Sequence, residues 1–420
     1  MGSSGKSQLG RDYFWNTASS LMGSLSMVLM LIVVTRAAGI AAAGVYSLAT
    51  AVGQQFQTVG AYEVRPYQAT DVRHRFSFGT YYATRLVTLV VMVVGIVAYA
   101  LVTGKGQQSA IVVILVASLR VFDAFEDVFY GEFQRIGRLD IAGRANFFRV
   151  LVTTTVFTVL IFVTRDLATT TIVTIIVTAL AVAFLIVPPA KGLFPLRPAF
   201  SVGPVRSLLI ACLPLFLAAF LAMYLTNAPR FAIEAFMDSA QQGYYAILFM
   251  PALAINILAM FVFRPLLTRM ATYWAAGNRA GFTRLVKRGI LGVGLAFALT
   301  FIVVYFLGVP ILNLLYSVDL SEYRRELLVI VVGGAMNSLA VIFYYALTTM
   351  RQQHLLLGGY LASAGLVWVL SRVLVPTSGI MGAALSYSLA MMVLALVFAL
   401  SFMLMNRGAP RGVAQTPPKL

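Results

Sequence analysis

Charge is what this sequence has least of. Only 11% of its 420 residues are Asp, Glu, Lys or Arg, where soluble domains carry about a quarter. That excludes an ordinary water-soluble globule. Cysteine is almost absent: Cys212 is the single one, so no internal disulfide can form, and its place in an apolar run reads as a small core residue. The two histidines, His74 and His354, fall in connections where they are solvated. No Walker loop, no metal-ligand spacing and no Ser/His/Asp arrangement is present, so the sequence offers no ATPase motif, no metal site and no enzyme active site. No polar stretch is long enough to fold as a separate soluble domain. The net charge of +17 could suggest nucleic acid, but the bases are scattered through short connections and form no single basic face, so no nucleic-acid partner is expected.

What is present is apolar sequence, 60% of the chain, in runs of about 20 residues with short connections between them. The expectation is an all-α polytopic membrane protein with about 12 transmembrane helices, in two six-helix lobes around a central cavity. The runs lie near 13–35, 43–62, 80–103, 109–131, 143–164, 168–189, 206–229, 242–263, 284–307, 326–350, 355–374 and 379–404. The polar start, Met1 to Arg11, precedes a run without a small-residue cleavage pattern, which reads as a retained helix. The Pro- and Gly-rich stretch "KGLFPLRPAFSVGPV" from Lys191 divides the runs six and six. The boundaries expected are 1–195 for the N-terminal lobe, 196–205 for a cytoplasmic linker, 206–405 for the C-terminal lobe and 406–420 for a cytoplasmic tail. Most Lys and Arg fall on one side if both termini are cytoplasmic, as insertion favours. The outer ends then hold Arg36, Lys105, Arg165, Arg230, Arg324, Arg325 and Arg372. Thr35-Arg36 followed by Gly44-Val45-Tyr46, and Pro229-Arg230 followed by Gly243-Tyr244-Tyr245, form a faint internal repeat. Parallel repeats of this kind place substrate between the halves.

The fourth run is the exception to the shortage of charge. "SLRVFDAFEDVFYGEFQR", from Ser118, places Arg120, Asp123, Asp127 and Glu126 on a face about 120° wide, opposite Phe122, Phe125, Phe129 and Phe133. The polar face lines a wet or protein-filled interior, and the phenylalanines turn to lipid or packing. Other runs of the first half carry polar faces too: Asn16, Ser20 and Ser24; Tyr46, Thr50, Gln54 and Gln57; Asn146, Arg149 and Thr153. Tyr46, Gln54, Gln57 and Asn146 are candidates to face sugar. The second half is nearly free of charge, with Asn256, Asn337 and Tyr344 among its few polar groups, an asymmetry that suits an amphiphilic cargo.

An unpaired charge at the bilayer centre costs about 2.5–3.5 kcal/mol. Arg85, Arg149 and the Glu126/Asp127 pair sit at a common depth, about 8 Å from the inner interface, which allows ion pairs among the third, fourth and fifth runs. Arg120 lies near the midplane beside Asp123. It either serves a transported anion or is fixed by Asp123. Asp123 and Asp127, like charges four apart, could share a proton or Na⁺ and so couple transport. Arg36, Arg120, Arg149 and Arg230 are the candidate anion-binding residues.

"YFWNTASSLMGSLSMVLMLIVVTRAAG" from Tyr13, "VRPYQATDVRHRFSFGTYYATRL" from Val64, "DAFEDVFYGEFQRIGRLDIAGR" from Asp123, "NAPRFAIEAFMDSAQQGYYAILFMPA" from Asn227 and "FRPLLT" from Phe263 resemble the Wzx-type polysaccharide flippases of the multidrug/oligosaccharidyl-lipid/polysaccharide (MOP) exporter superfamily. The resemblance covers nearly the whole chain. It implies movement of an undecaprenyl-pyrophosphate-linked oligosaccharide across a bacterial cytoplasmic (inner) membrane by alternating access, for O-antigen, lipopolysaccharide or exopolysaccharide synthesis. It also implies membrane lipids, a polysaccharide polymerase and chain-length components as partners, and no cofactor beyond H⁺ or Na⁺ coupling. Its site residues carry over to Arg36, the fourth helix and Arg230. The rivals are a cation-coupled multidrug exporter of the same superfamily and, from another class, a membrane polysaccharide polymerase or ligase, which generally shows a large outer loop. Peptidoglycan-precursor flippases generally carry two further helices.

Overall fold

The computed structural model describes the backbone of residues 3–71, 73–103 and 107–408 and the side chains of residues 8–71, 73–103, 109–255 and 269–406. Expectations attached to Lys6, Lys105, Asn256, Arg264, Arg407, Arg411, Lys419 and the stretch from Phe263 to Thr268 lie outside the described side chains. Among the described residues every regular element is a helix. The α-helices are α1 (Ser3–Ala61), α2 (Val64–Thr70), α3 (Phe78–Thr103), α4 (Gln107–Arg135), α5 (Leu139–Thr164), α6 (Leu167–Leu185), α7 (Val187–Lys191), α8 (Val202–Phe236), α9 (Ser239–Leu248), α10 (Met250–Ala275), α11 (Arg279–Val303), α12 (Val309–Tyr316), α13 (Arg324–Thr349) and α14 (Gln353–Gly408).

Among the described residues eight stretches are long and apolar enough to cross a bilayer, and the chain is a multi-pass membrane protein. Length alone shows that two of them do more. The 59 residues of α1 would extend roughly 90 Å as one rod, about twice a bilayer with its headgroups. The rod is broken at Gly39, whose φ of 85° lies where a Cβ would meet the backbone and glycine does not. The 56 residues of α14 break in the same way at Gly379, three residues after Pro376. α4, at 29 residues, has the length of a crossing helix but carries the charges noted above.

The chain parts into two compact units, Met1–Met223 with Asp238–Gly243, and Tyr224–Met237 with Tyr244–Leu420. The division expected at 196–205 therefore falls inside the first unit. The reason is docking of what looked like a linker and of the start of α8. The Ala199 N–H donates to the Gly79 carbonyl at 2.9 Å, Phe216 stacks on Tyr62 at 4.3 Å, and Leu208 and Cys212 sit fully buried in the same aromatic core as α4. Pro and Gly marked where the runs divide six and six, whereas Leu208, Cys212 and Phe216 dock the start of α8 on the first unit.

That core also decides between the two readings of the aromatic face of α4, lipid or packing. Phe129 and Phe133 are buried, and Phe122 and Phe125 pack against them. Phe133 meets Phe194 at 5.4 Å and Phe129 meets Phe78 at 5.8 Å, edge-on and tilted geometries that favour aromatic pairs. These rings face protein, so α4 is held on both sides and its polar face has a fixed direction. In the second unit, α13 packs on α10 where Gly334 leaves no room for a Cβ against Ala252, and α13 and α14 close a core that includes Leu327, Ile330 and Phe398.

The loop between α2 and α3 shows how the surface turns are fixed. Asp71 accepts from the backbone N–H groups of Arg75 (2.9 Å) and Phe76 (3.1 Å) and from the Tyr81 hydroxyl (2.8 Å). Burial raises its pKa, but these three donors outweigh that and hold the carboxyl below its ordinary value of 3.8. A depressed acid stabilises the fold above its ordinary pKa, and the contribution fades as pH falls through the folded value. Asp71→Ala is expected to cost about 1–3 kcal/mol at pH 7, the size of a lost buried acceptor. Thermal unfolding against pH checks it: the gap between the two proteins should close as pH falls below about 4.

Candidate functional site

A cavity of about 170 Å³ lies within the first unit. Its walls come from four helices that are distant in sequence. Ser26 and Met30 from the first segment of α1, and Tyr46 and Thr50 from its second, form one side; Arg120 and Asp123 of α4 form another. Asn146, Arg149 and Thr153 of α5 and Thr178 of α6 complete it. Close approach is built in at Gly53, where a Cβ would lie 2.9 Å from Arg120 Cγ and 3.0 Å from the Ala117 carbonyl. Without a side chain there, α1 packs backbone to backbone on α4 and brings Tyr46 and Thr50 opposite Arg120.

The small polar groups are largely used in holding these helices together. Ser26 meets Thr154 at 2.6 Å, Thr153 meets Thr178 at 3.0 Å, and Asn146 Nδ2 donates to Ser19 Oγ at 2.6 Å. The Tyr46 hydroxyl rests on Met30 Sδ at 3.2 Å. Asn16, Ser20 and Ser24, expected to present a polar face of the first run, do not line the cavity. Ser20 and Ser24 bond back to carbonyls one turn earlier in their own helix. Gln54 and Gln57 are half-buried and off the cavity. The buried amide of that segment is Gln55, whose Nε2 donates to the Phe220 carbonyl at 3.1 Å. A 3.6-residue period carries Tyr46 and Thr50 along one face, but the helix drifts, and two turns on the line has left the cavity.

The charges of α3, α4 and α5 proposed for the site form two networks among the described residues. In the first, Arg120 Nη1 donates to Asp123 Oδ2 at 2.9 Å, and Arg149 Nη2 donates to Asp123 Oδ1 at 2.6 Å and to Asn146 Oδ1 at 2.9 Å. Arg149 Nε lies 2.8 Å from Glu126 Oε1, an ion pair without hydrogen-bond alignment. Glu126 Oε2 in turn accepts from the Tyr130 hydroxyl at 2.6 Å. In the second, Asp127 takes Arg85 at 2.7 Å and Arg65 at 3.5 Å. Arg85, fully buried, also donates with Thr88 to the Gly60 carbonyl, a group left without a helical partner at the end of α1. Asp123 and Asp127 therefore belong to different networks. They lie one turn apart on α4, and each is drawn to its own pair of arginines.

Exposure separates the two arginines of the cavity. The Arg149 side chain is 7% exposed and held by two carboxylates and an amide, whereas that of Arg120 is 31% exposed with one carboxylate partner. Arg149 is built into the wall; Arg120 presents N–H groups to the cavity. The other anion-binding candidates lie elsewhere. Arg36 is exposed on α1 and lines no part of the cavity. Arg230, read as an outer-end residue, is buried in the second unit. The contacts of Glu126 with Tyr130 and of Gln68 with Glu132 at 2.9 Å are not apparent from helix faces drawn for charge alone; the i, i+4 spacing of Glu126 and Tyr130 was the available signal.

With the fold and the cavity in view, the chain can be set beside known proteins. No family model matches it, and no curated protein sequence matches it. Solved structures do. The lipid II flippase MurJ in an inward closed conformation is similar at a TM-score of 0.67 and 12% identity, over 93% of this chain and 87% of that one. A multidrug resistance MATE family transporter of the MOP superfamily, in an inward-facing conformation, is similar at 0.58 and 14% identity over 94% of each chain. A eukaryotic MATE transporter is similar at 0.59 and 10% identity, over 95% of this chain and 96% of that one. The fold is that of MOP superfamily transporters, and these neighbours are transporters and flippases.

Proposed function

We propose that the protein is a flippase that carries an undecaprenyl-pyrophosphate-linked oligosaccharide from the cytoplasmic to the outer leaflet of a bacterial inner membrane by alternating access. In this reading the chain crosses twelve times as two six-helix lobes, with both termini cytoplasmic, and an H⁺ or Na⁺ gradient drives the cycle through the acids of α4. The observation that carries the reading is the cavity of the first unit. An incompletely paired guanidinium, Arg120, stands there among Tyr46, Thr50 and Asn146, the mixture of charge, hydroxyl, amide and aromatic ring that a phosphorylated sugar headgroup requires. At about 170 Å³ the space is the size of a single sugar ring or a phosphate, so in this reading it grips one part of the headgroup while the rest of the oligosaccharide and the lipid lie outside it.

The test is deletion followed by lipid analysis. Undecaprenyl-linked oligosaccharide is expected to accumulate on the inner leaflet while surface polysaccharide falls. Unchanged surface polysaccharide with unchanged lipid intermediates would overturn the proposal. A second reading, a cation-coupled drug exporter, is favoured by the MATE neighbours and by the acids of α4. It expects greater sensitivity to cationic drugs in the same deletion strain and no change in lipid intermediates.

A further inference from the structure

Arg230, on α8 in the second unit, is 3% exposed, and none of the ion pairs among the described residues includes it. Its Nη1 reaches Asn227 Oδ1 at 3.3 Å, one turn back on the same helix, a long contact to a neutral group. Its Cζ lies 5.0 Å from the centre of the Phe249 ring. Its Nε–H has no acceptor. Two more donors stand around the same phenylalanine. The Tyr387 ring centre is 5.0 Å from that of Phe249 and the Tyr245 ring centre 6.0 Å. Both tyrosines are 0% exposed, and neither hydroxyl has a hydrogen-bond partner. These two phenols are the titratable groups that face Arg230. Tyr387 is fixed in place: a Cβ on Gly333 would lie 2.6 Å from its ring, and the adjoining Ser388 hydroxyl is tied to the Val329 carbonyl at 2.7 Å.

The donor and acceptor count is therefore unbalanced in one direction. A guanidinium has five N–H donors, no acceptor, and stays protonated. One phenol could accept from it, but each phenolic O–H would still need an acceptor of its own. Buried polar groups are normally satisfied, and a buried charge is normally paired. What is missing is an acceptor that takes several donors at once and carries negative charge. The close approach of Gly333 to the Tyr387 ring, where a Cβ would lie 2.6 Å away, favours a compact one.

We propose that Arg230, Tyr245 and Tyr387 hold a resident monatomic anion, chloride, inside the second unit. The residues are distinct from those of the cargo cavity, so the site stands or falls independently of the flippase reading. Its role is to neutralise the buried arginine and to join α8, α9 and α14 through shared hydrogen bonds. A buried water would satisfy donors without neutralising charge, and it is the outcome that would exclude the anion.

The purified full chain in detergent, exchanged into gluconate, is titrated with chloride or bromide at constant ionic strength. A saturable rise in Tm of about 2–4 °C is expected. The double variant Tyr245→Phe/Tyr387→Phe keeps both rings and removes the two O–H donors, and it should lose that halide-dependent rise. Crystals grown with bromide should give an anomalous peak within hydrogen-bond distance of Arg230 and both phenols. An equal halide response in wild type and double variant, a response to gluconate as large as that to chloride, or a bromide-grown crystal without the peak would each overturn the proposal.

Discussion

Arg149→Met is expected to destabilise the protein by about 3–5 kcal/mol, the cost of removing one partner from a buried ion pair and stranding the other. Arg149 serves three groups at once, Asp123, Glu126 and Asn146. Methionine keeps roughly the apolar stem of arginine without the guanidinium. Asp123 would keep Arg120, 2.9 Å away, but Glu126, 0% exposed, would keep only the Tyr130 hydroxyl. The measurement is thermal unfolding of detergent-purified protein, with yield from the membrane as a second index. Adding Glu126→Gln removes the stranded charge while preserving an acceptor for Tyr130, and it should recover about half of the loss or more. A single variant as stable as wild type, or a double variant no better than the single, would show that the network is not what holds α4 to α5.

The second large effect is on transport rather than stability. Arg120→Gln should leave the fold within about 1 kcal/mol of wild type, because the partly exposed pair it breaks is worth little and Asp123 retains Arg149. Transport, followed as restoration of surface polysaccharide in a deletion strain, is expected to fall about tenfold or more, equivalent to about 1.4 kcal/mol in the limiting step. Arg120→Lys keeps the charge but not the fork that binds phosphate bidentately, so it should recover only part of the activity. Wild-type transport in Arg120→Gln would remove Arg120 from the cargo site. Loss of both fold and transport would make Arg120 a structural partner of Asp123.

These two arginines mark where sequence reasoning stopped. Both looked alike as cations inside apolar runs, and both were candidates for an anion. A helix face orders residues by angle and depth, so it could place Arg85 and Arg149 level with the Glu126/Asp127 pair. It could not choose among carboxylates on adjacent turns. That choice depends on the lateral positions of α3 and α5 around α4, which close packing fixes at Gly53 and in the aromatic core around Phe129 and Phe133. The same limit explains why Gln55, rather than Gln54 or Gln57, is the buried amide, and why the start of α8 joined the first unit.

The sequence by itself determined that the chain is helical, lies in a membrane and gathers most of the charge within its apolar runs on one helix. Those properties follow from composition and period, which act locally and must be met by any structure the chain adopts. Only the tertiary structure decided which charges neutralise each other, which arginine is left facing a cavity and which is buried with two unpartnered phenols. Those are distances between helices far apart in sequence, set by how side chains pack, and a linear pattern carries no term for them.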